Sequence, residues 1–181
     1  EVSDVPAMCG QETYKLERIM IAGGSAEGAY LAEIMGNHNV ETTILDRSRT
    51  RCLELAERLP KALVLHGDAT DLELLEIEGV AGMDGYLAST GSDDTNILSS
   101  LLAKQAGARK VIGLLSELAL LPLGTKVGID ATVSPRLSTV NAILRYVRRG
   151  RVSSVAVMKS IDAEAITFEV VEGTAVAGKA L

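Results

Sequence analysis

Six short apolar runs open units of nearly equal length, and this beat constrains the fold more than any other feature of the chain. The units begin at Arg18, Val40, Ala62, Asp84, Lys110 and Ala131, at intervals of 22, 22, 22, 26 and 21 residues. Each interval has room for one strand and one helix. The runs, among them Ile19-Met20-Ile21-Ala22, Thr43-Ile44-Leu45, Leu63-Val64-Leu65 and Val111-Ile112, carry almost no charge, as expected of strands covered on both faces. Between them Leu55, Ala56 and Leu59, and later Ile97, Leu98, Leu101 and Leu102, recur at three- and four-residue spacing, which predicts helices with one apolar stripe. Strands alternating with crossover helices give an α/β fold, a doubly wound parallel sheet of about six strands.

Local punctuation agrees with this plan. Ser48 or Thr50 can cap the second helix, Thr70 and Glu73 have the spacing of a capping box, and Gly79 and Gly107 can end helices. Pro135 opens a last long helix whose apolar face is Leu137, Val140, Ile143, Leu144 and Val147. Beyond Gly150 the pattern switches to period two, with Val155, Val157, Ile166, Phe168 and Val170, so a small β element is expected from about Arg151. The expected organisation is a linker over 1–15, one α/β domain over 16–151, and a segment over 152–181. That last segment is too short for a core of its own and reads as the truncated start of a second domain.

Composition narrows the function. With 47% hydrophobic residues the chain is not disordered, and with a formal net charge of −6, no Trp and one Phe it is poorly suited to a phosphate backbone or to stacking bases. No nucleic-acid partner is expected. Cys9 and Cys52 stand 43 residues apart, and only His38 and His66 could join them, so neither a disulfide framework nor a metal site is indicated. The longest apolar stretch, 111–129, is interrupted by Glu117, Pro122 and Lys126 and reads as strand, short helix and loop rather than a membrane span.

The first strand and helix are joined by Gly23-Gly24-Ser25-Ala26-Glu27-Gly28, one letter from the G-x-G-x-x-G turn that rests a pyrophosphate on a helix N-terminus. Gly23 suits the tight turn and Gly28 close packing of helix on strand, but the middle position is Ser25. Glu27 puts a carboxylate in the first helical turn, where it competes with phosphate for the positive end of the dipole. Asp46 ends the second strand 18 residues after Gly28, near the offset of the acid that holds a ribose diol in Rossmann-like folds. A carboxylate there favours NAD or an adenine nucleotide over NADP, a preference that Arg47 weakens because a guanidinium can accommodate a 2′-phosphate. Asp68 and Ala69, after the third strand, are candidates for contact with adenine. Thr90 and Gly91, after the fourth, are candidates to border ribose or phosphate.

Taken in order, Gly23 to Gly28, Leu45-Asp46-Arg47, His66-Gly67-Asp68-Ala69-Thr70, Asp93-Asp94-Thr95-Asn96 and Ser134-Pro135-Arg136 resemble the TrkA-type RCK (KTN) domain, a cytoplasmic regulator of potassium channels and transporters. The tail, with Ala163-Glu164-Ala165-Ile166 and 172–179, is similar to the start of the TrkA C-terminal domain. The resemblance implies a nucleotide-binding gating subunit that is not an enzyme. It would bind NAD(H), with ATP, ADP or AMP as alternatives, and lie at the inner face of the cell membrane against a potassium transporter or channel subunit. It also implies a homodimer or higher oligomer formed through the helix from Pro135 to Arg149. Members that hold a triphosphate often have Arg where this chain has Ala26, so ATP-specific sensing is not implied.

Two rivals follow from the residues themselves. A nicotinamide-dependent oxidoreductase would share the sheet, but His38 reads as solvated or packed, His66 as structural, Cys52 as small apolar packing, and no residue is assigned a catalytic role. A degenerate domain would keep the fold and subunit contacts with weak nucleotide binding. The basic stretch of Arg136, Arg145, Arg148, Arg149 and Arg151 reads first as a solvated helix end.

Overall fold

A computed structural model describes residues 15–147, 152–158 and 163–168, with side-chain surroundings through Leu144. The expected linker over 1–15 lies, apart from Lys15, outside the described residues, as do Val170 and the side chains of Arg145, Arg148, Arg149 and Arg151. The chain divides after Ser134 into two units.

The first unit is built on strands β1 (Arg18–Ala22), β2 (Glu41–Asp46), β3 (Ala62–His66), β4 (Gly85–Ala88), β5 (Val111–Leu114) and β6 (Ala131–Val133). All pair in parallel, in the order β3-β2-β1-β4-β5-β6. Helices α1 (Ala26–Asn37), α2 (Arg49–Arg58), α3 (Leu72–Ile77), α4 (Asp93–Gln105) and α5 (Leu121–Lys126) make the crossovers. Successive residues of β1 serve opposite faces of the sheet. Ile19 and Ile21 join Ala29, Ala32, Ile44, Leu55 and Leu59 in one core. Met20 and Ala22 join Leu45, Leu75, Val80, Tyr86 and Val111 in the other. The six-strand doubly wound sheet is thus as expected, and its order reverses between β1 and β4, which opens a crevice at their carboxyl ends.

Four helices begin on a side-chain cap. Ser25 accepts from Gly28 N–H, Ser48 from Arg51 N–H, Asp71 from Leu74 N–H and Ser92 from Thr95 N–H, each contributing about 1 kcal/mol. The choice between Ser48 and Thr50 is settled for Ser48. The expected capping box at Thr70 is not formed: Asp71 caps α3, because the Thr70 hydroxyl is bonded to Asp68 Oδ1 at 2.7 Å. Gly79 and Gly107 follow α3 and α4 at φ +73° and +104°, where glycine alone is unstrained.

Three packing expectations need correction. In α2 the buried residues are Cys52 and Leu55, with the capping Leu59 also buried, whereas Ala56 is exposed. Of the expected stripe on α4, Ile97, Leu101 and Leu102 pack against the core but Leu98 is 49% exposed, and the fully buried positions are Asn96, Ser99, Ser100 and Ala103. Small residues are needed there because the helix runs close over β5, with Ser100 Oγ 3.6 Å from where a Cβ on Gly113 would sit. The edge strands are not covered on both faces either: Leu63 of β3 and Val133 of β6 are 57% and 39% exposed.

The second unit holds helix α6 (Pro135–Val147) and an antiparallel hairpin of β7 (Val152–Met158) and β8 (Ala163–Phe168). Val155 faces Ile166 in its register, as the period-two pattern anticipated. On α6, Val140 and Ile143 are largely exposed.

Candidate functional site

Backbone geometry at the end of β1 makes the turn that everything else in the site depends on. Gly23 N–H donates to Leu45 O at 2.8 Å, and its φ of +101° selects glycine. A Cβ at Gly23 would lie 2.7 Å from Ser89 O and Thr90 N, so the turn also sits hard against the end of β4. Gly28 has the packing role expected of it: a Cβ there would be 2.5 Å from Gly23 O and 2.8 Å from Ser89 Oγ. Ser25 is held rather than loose, since its hydroxyl accepts from Gly28 N–H at 3.0 Å and lies 3.2 Å from Ser89 Oγ.

Asp46 does more than end a strand. Its Oδ2 accepts from Gly24 N–H and its Oδ1 from Ser48 N–H, each at 2.7 Å. It therefore joins the glycine turn to the start of α2, and Arg51 Nε closes the same junction by donating to Gly24 O at 2.7 Å. An ionised carboxylate has about four acceptor positions, so these two bonds do not exhaust it. Beneath it, Cys52 Sγ lies 3.4 Å from both Asp46 O and Leu65 O. Burial, aided by the Asp46 charge, pushes its thiol pKa up, which makes this cysteine an unreactive packing group.

After β3, Asp68 Oδ1 accepts from Thr70 N–H at 2.8 Å and from the Thr70 hydroxyl. Those bonds hold the Asp68 carboxyl below the usual carboxylate range. Arg47 Nη1 stands 3.9 Å from Asp68 Oδ2, an exposed pair with little energetic weight. His66 Nε2 lies 3.0 Å from Arg47 O, a structural contact of the kind expected.

These elements enclose a cleft of about 490 Å³, within the range of small-molecule sites. Of the residues singled out from sequence, Gly23, Gly24, Ser25, Asp46, Arg47, Asp68, Ala69, Thr90 and Gly91 line it. Ala26, Glu27 and Gly28 do not: the first two are exposed on the first turn of α1, and Gly28 is buried against Gly23. Leu45, Ser48, Gly67 and Thr95 also line the cleft and were not anticipated as site residues. Ser48 and Gly67 each directly follow a residue or strand already implicated, and placing every strand's carboxyl end on one edge would have found them.

A parallel sheet in the order 3-2-1-4-5-6, with a glycine turn at its switch point and an acid ending β2, defines a Rossmann-type α/β domain. The model of the TrkA-N domain family matches residues 19–135. The chain belongs to that family. It is 39% identical over 181 residues to the Trk system potassium uptake protein trkA homolog 1 of Methanosarcina mazei, covering 99% of this chain and 45% of the relative. A second relative, the TrkA protein of Azorhizobium caulinodans, is 36% identical over 183 residues, with 100% and 40% covered. The chain thus spans less than half the length of these relatives. Among solved structures, the fold is shared with the GsuK channel bound to NAD, at a TM-score of 0.64 and 20% identity over 80% of this chain and 26% of that one.

Proposed function

We propose that this chain is the nucleotide-binding part of a regulatory subunit of a potassium uptake system, controlling a separate membrane pore. Its TrkA relatives are potassium uptake proteins by name, and a channel of the same fold carries NAD. The observation that carries the reading is the convergence of Gly24, Asp46 and Thr90 on one cleft. The residues present fit an adenine nucleotide. Gly24 leaves no room for a Cβ, which would collide with Leu55 and lie 3.2 Å from Asp46 Oδ2, so bare backbone of the turn borders the cleft. The Gly28 amide is taken by Ser25, which leaves the amides of Ala26 and Glu27 without intrahelical partners to offer a phosphate the positive end of the helix dipole.

In this reading the free acceptor positions of Asp46 take the ribose hydroxyls, Gly23 to Ser25 border the pyrophosphate, and Asp68 and Ala69 flank the adenine. NAD(H) is the favoured ligand and ATP, ADP or AMP the alternatives. Residues 16–151 form the nucleotide-binding domain and 152–181 the start of a TrkA C-terminal domain. Exposed Val140 and Ile143 on α6 support association of two copies through that helix, and the assembly would sit at the cytoplasmic face of the membrane. Among the described residues, no helix is long and apolar enough to cross a membrane.

Thermal unfolding in NAD, NADH, ATP and ADP tests the proposal. A ligand bound only by the folded state raises stability by roughly 2.7 kcal/mol at a hundredfold excess over its Kd. A rise in Tm with at least one nucleotide is expected, and no shift at millimolar concentration would leave an assembly scaffold with an empty cleft.

A further inference from the structure

The inner face of α4 carries a buried amide that the nucleotide site does not itself contain. Asn96 is 1% exposed and is not part of the cleft lining, although its neighbour Thr95 is. Its Oδ1 accepts from Thr90 N–H at 2.7 Å and lies 2.7 Å from the Thr90 hydroxyl. Its Nδ2 donates to Thr90 O at 3.3 Å and to Leu114 O at 2.7 Å. An amide N–H and a backbone carbonyl cannot exchange roles, so these partners fix which way the amide points. Every hydrogen-bonding position of the side chain is used, and two loops share it.

One turn earlier on the same helix, the Asp93 carboxylate accepts from Ser116 N–H at 3.0 Å and from Glu117 N–H at 2.8 Å. The loop after β4, the first turn of α4 and the loop after β5 are therefore one hydrogen-bonded body. That body reaches the last strand of the parallel sheet, because Leu115 N–H donates to Val133 O at 2.8 Å, and Val133 ends β6 two residues before α6 begins at Pro135. A shift of Thr90 alone would orphan buried groups on Asn96, which is costly, so the cheaper response is for both loops to move together.

We infer that Asn96 is a positioning residue for the nucleotide-facing loop Thr90-Gly91, and that Asn96 and Asp93 together tie this loop to the carboxyl ends of β5 and β6. The inference rests on the nucleotide reading above and extends it. Contact at Thr90 is felt at Ser116 and Glu117, which line no part of the cleft.

Hydrogen–deuterium exchange on the full chain, with and without NAD, reads both loops. In the parent, NAD slows exchange over 89–92 and over 115–117. Asp93→Ala removes a half-exposed side chain outside the cleft. It keeps the response over 89–92 and loses about tenfold of it over 115–117, the loss expected of charge-assisted bonds. Asn96→Asp keeps the acceptor for Thr90 N–H, removes both donors, and weakens NAD binding by about tenfold or more on the same grounds. A response over 115–117 that is equal in the parent and Asp93→Ala overturns the inference, as does a parent response confined to 89–92. If NAD changes neither segment in the parent, the nucleotide reading fails. The tie is then judged without ligand, where Asn96→Asp must speed exchange in both segments and acceleration in 89–92 alone refutes it.

Discussion

Gly24 and Asp46, 22 residues apart in the chain, meet through a 2.7 Å hydrogen bond from the Gly24 N–H to Asp46 Oδ2. With the Gly23 N–H to Leu45 O and Arg51 Nε to Gly24 O bonds, this contact sets the height of the glycine turn against the end of β2, which in the proposed reading spaces a pyrophosphate from the ribose next to it. The same carboxylate anchors α2 through Ser48 N–H, so the acid is a structural joint as well as a candidate ligand group.

The serine at the middle of the turn is a cap more than an obstacle. Ser25 has negative φ, −60°, and accepts from Gly28 N–H, so glycine is not required there for conformation. Ser25→Gly is expected to lower stability by only a few tenths of a kcal/mol and to leave NAD affinity unchanged or improved. Paired denaturant unfolding and titration calorimetry check both halves; a large loss of affinity would show that the hydroxyl itself contacts the ligand.

Gly28→Ala should be far more damaging. Its Cβ would press on Gly23 O and Ser89 Oγ, and overpacking of this kind costs about 1–3 kcal/mol. A fall in the urea midpoint at constant m-value is the expected outcome. An unchanged midpoint would mean that α1 does not pack on β1 as described.

Acid sensitivity should pass through Asp68. Its folded pKa is depressed below 3.8 by the bonds from Thr70, so its contribution to stability is complete above about pH 4 and is lost as pH falls through the lower folded value. Asp68→Asn should therefore show a shallower loss of stability than the parent below pH 4. Identical acid limbs would assign that slope to other carboxylates.

Association through α6 should depend on its exposed apolar pair. Val140→Glu with Ile143→Glu is expected to shift the protein toward a smaller species in sedimentation velocity while preserving its far-UV circular dichroism. An unchanged sedimentation coefficient would place the subunit contact elsewhere.

How much of this was legible beforehand differs between fold and site. The spacing of Arg18, Val40, Ala62, Asp84, Lys110 and Ala131 carried the sheet, because a buried parallel strand and its crossover helix impose a length on each unit. Of the nine cleft residues that were legible, Gly23, Gly24, Ser25, Asp46 and Arg47 followed from the glycine motif and the spacing of its acid, and Asp68, Ala69, Thr90 and Gly91 from the rule that ligands gather at the carboxyl ends of parallel strands. What escaped was side-chain partnership. Thr70 looked like a cap, but its hydroxyl serves Asp68. Asn96 looked like one polar letter at a helix start, and nothing local reveals that it reaches Leu114, 18 residues further on. The small-residue face of α4 was hidden for a similar reason, since the close approach to Gly113 is a property of the assembled sheet.

Calorimetric titration of NAD into the parent and into Asp46→Ala, each first shown to be folded, bears most directly on the claim that this crevice grips an adenosine ribose. Hydrogen bonds to a charged group are worth about 1.5–3 kcal/mol, so the variant should bind at least about tenfold more weakly. Equal affinity in the two proteins would contradict the account.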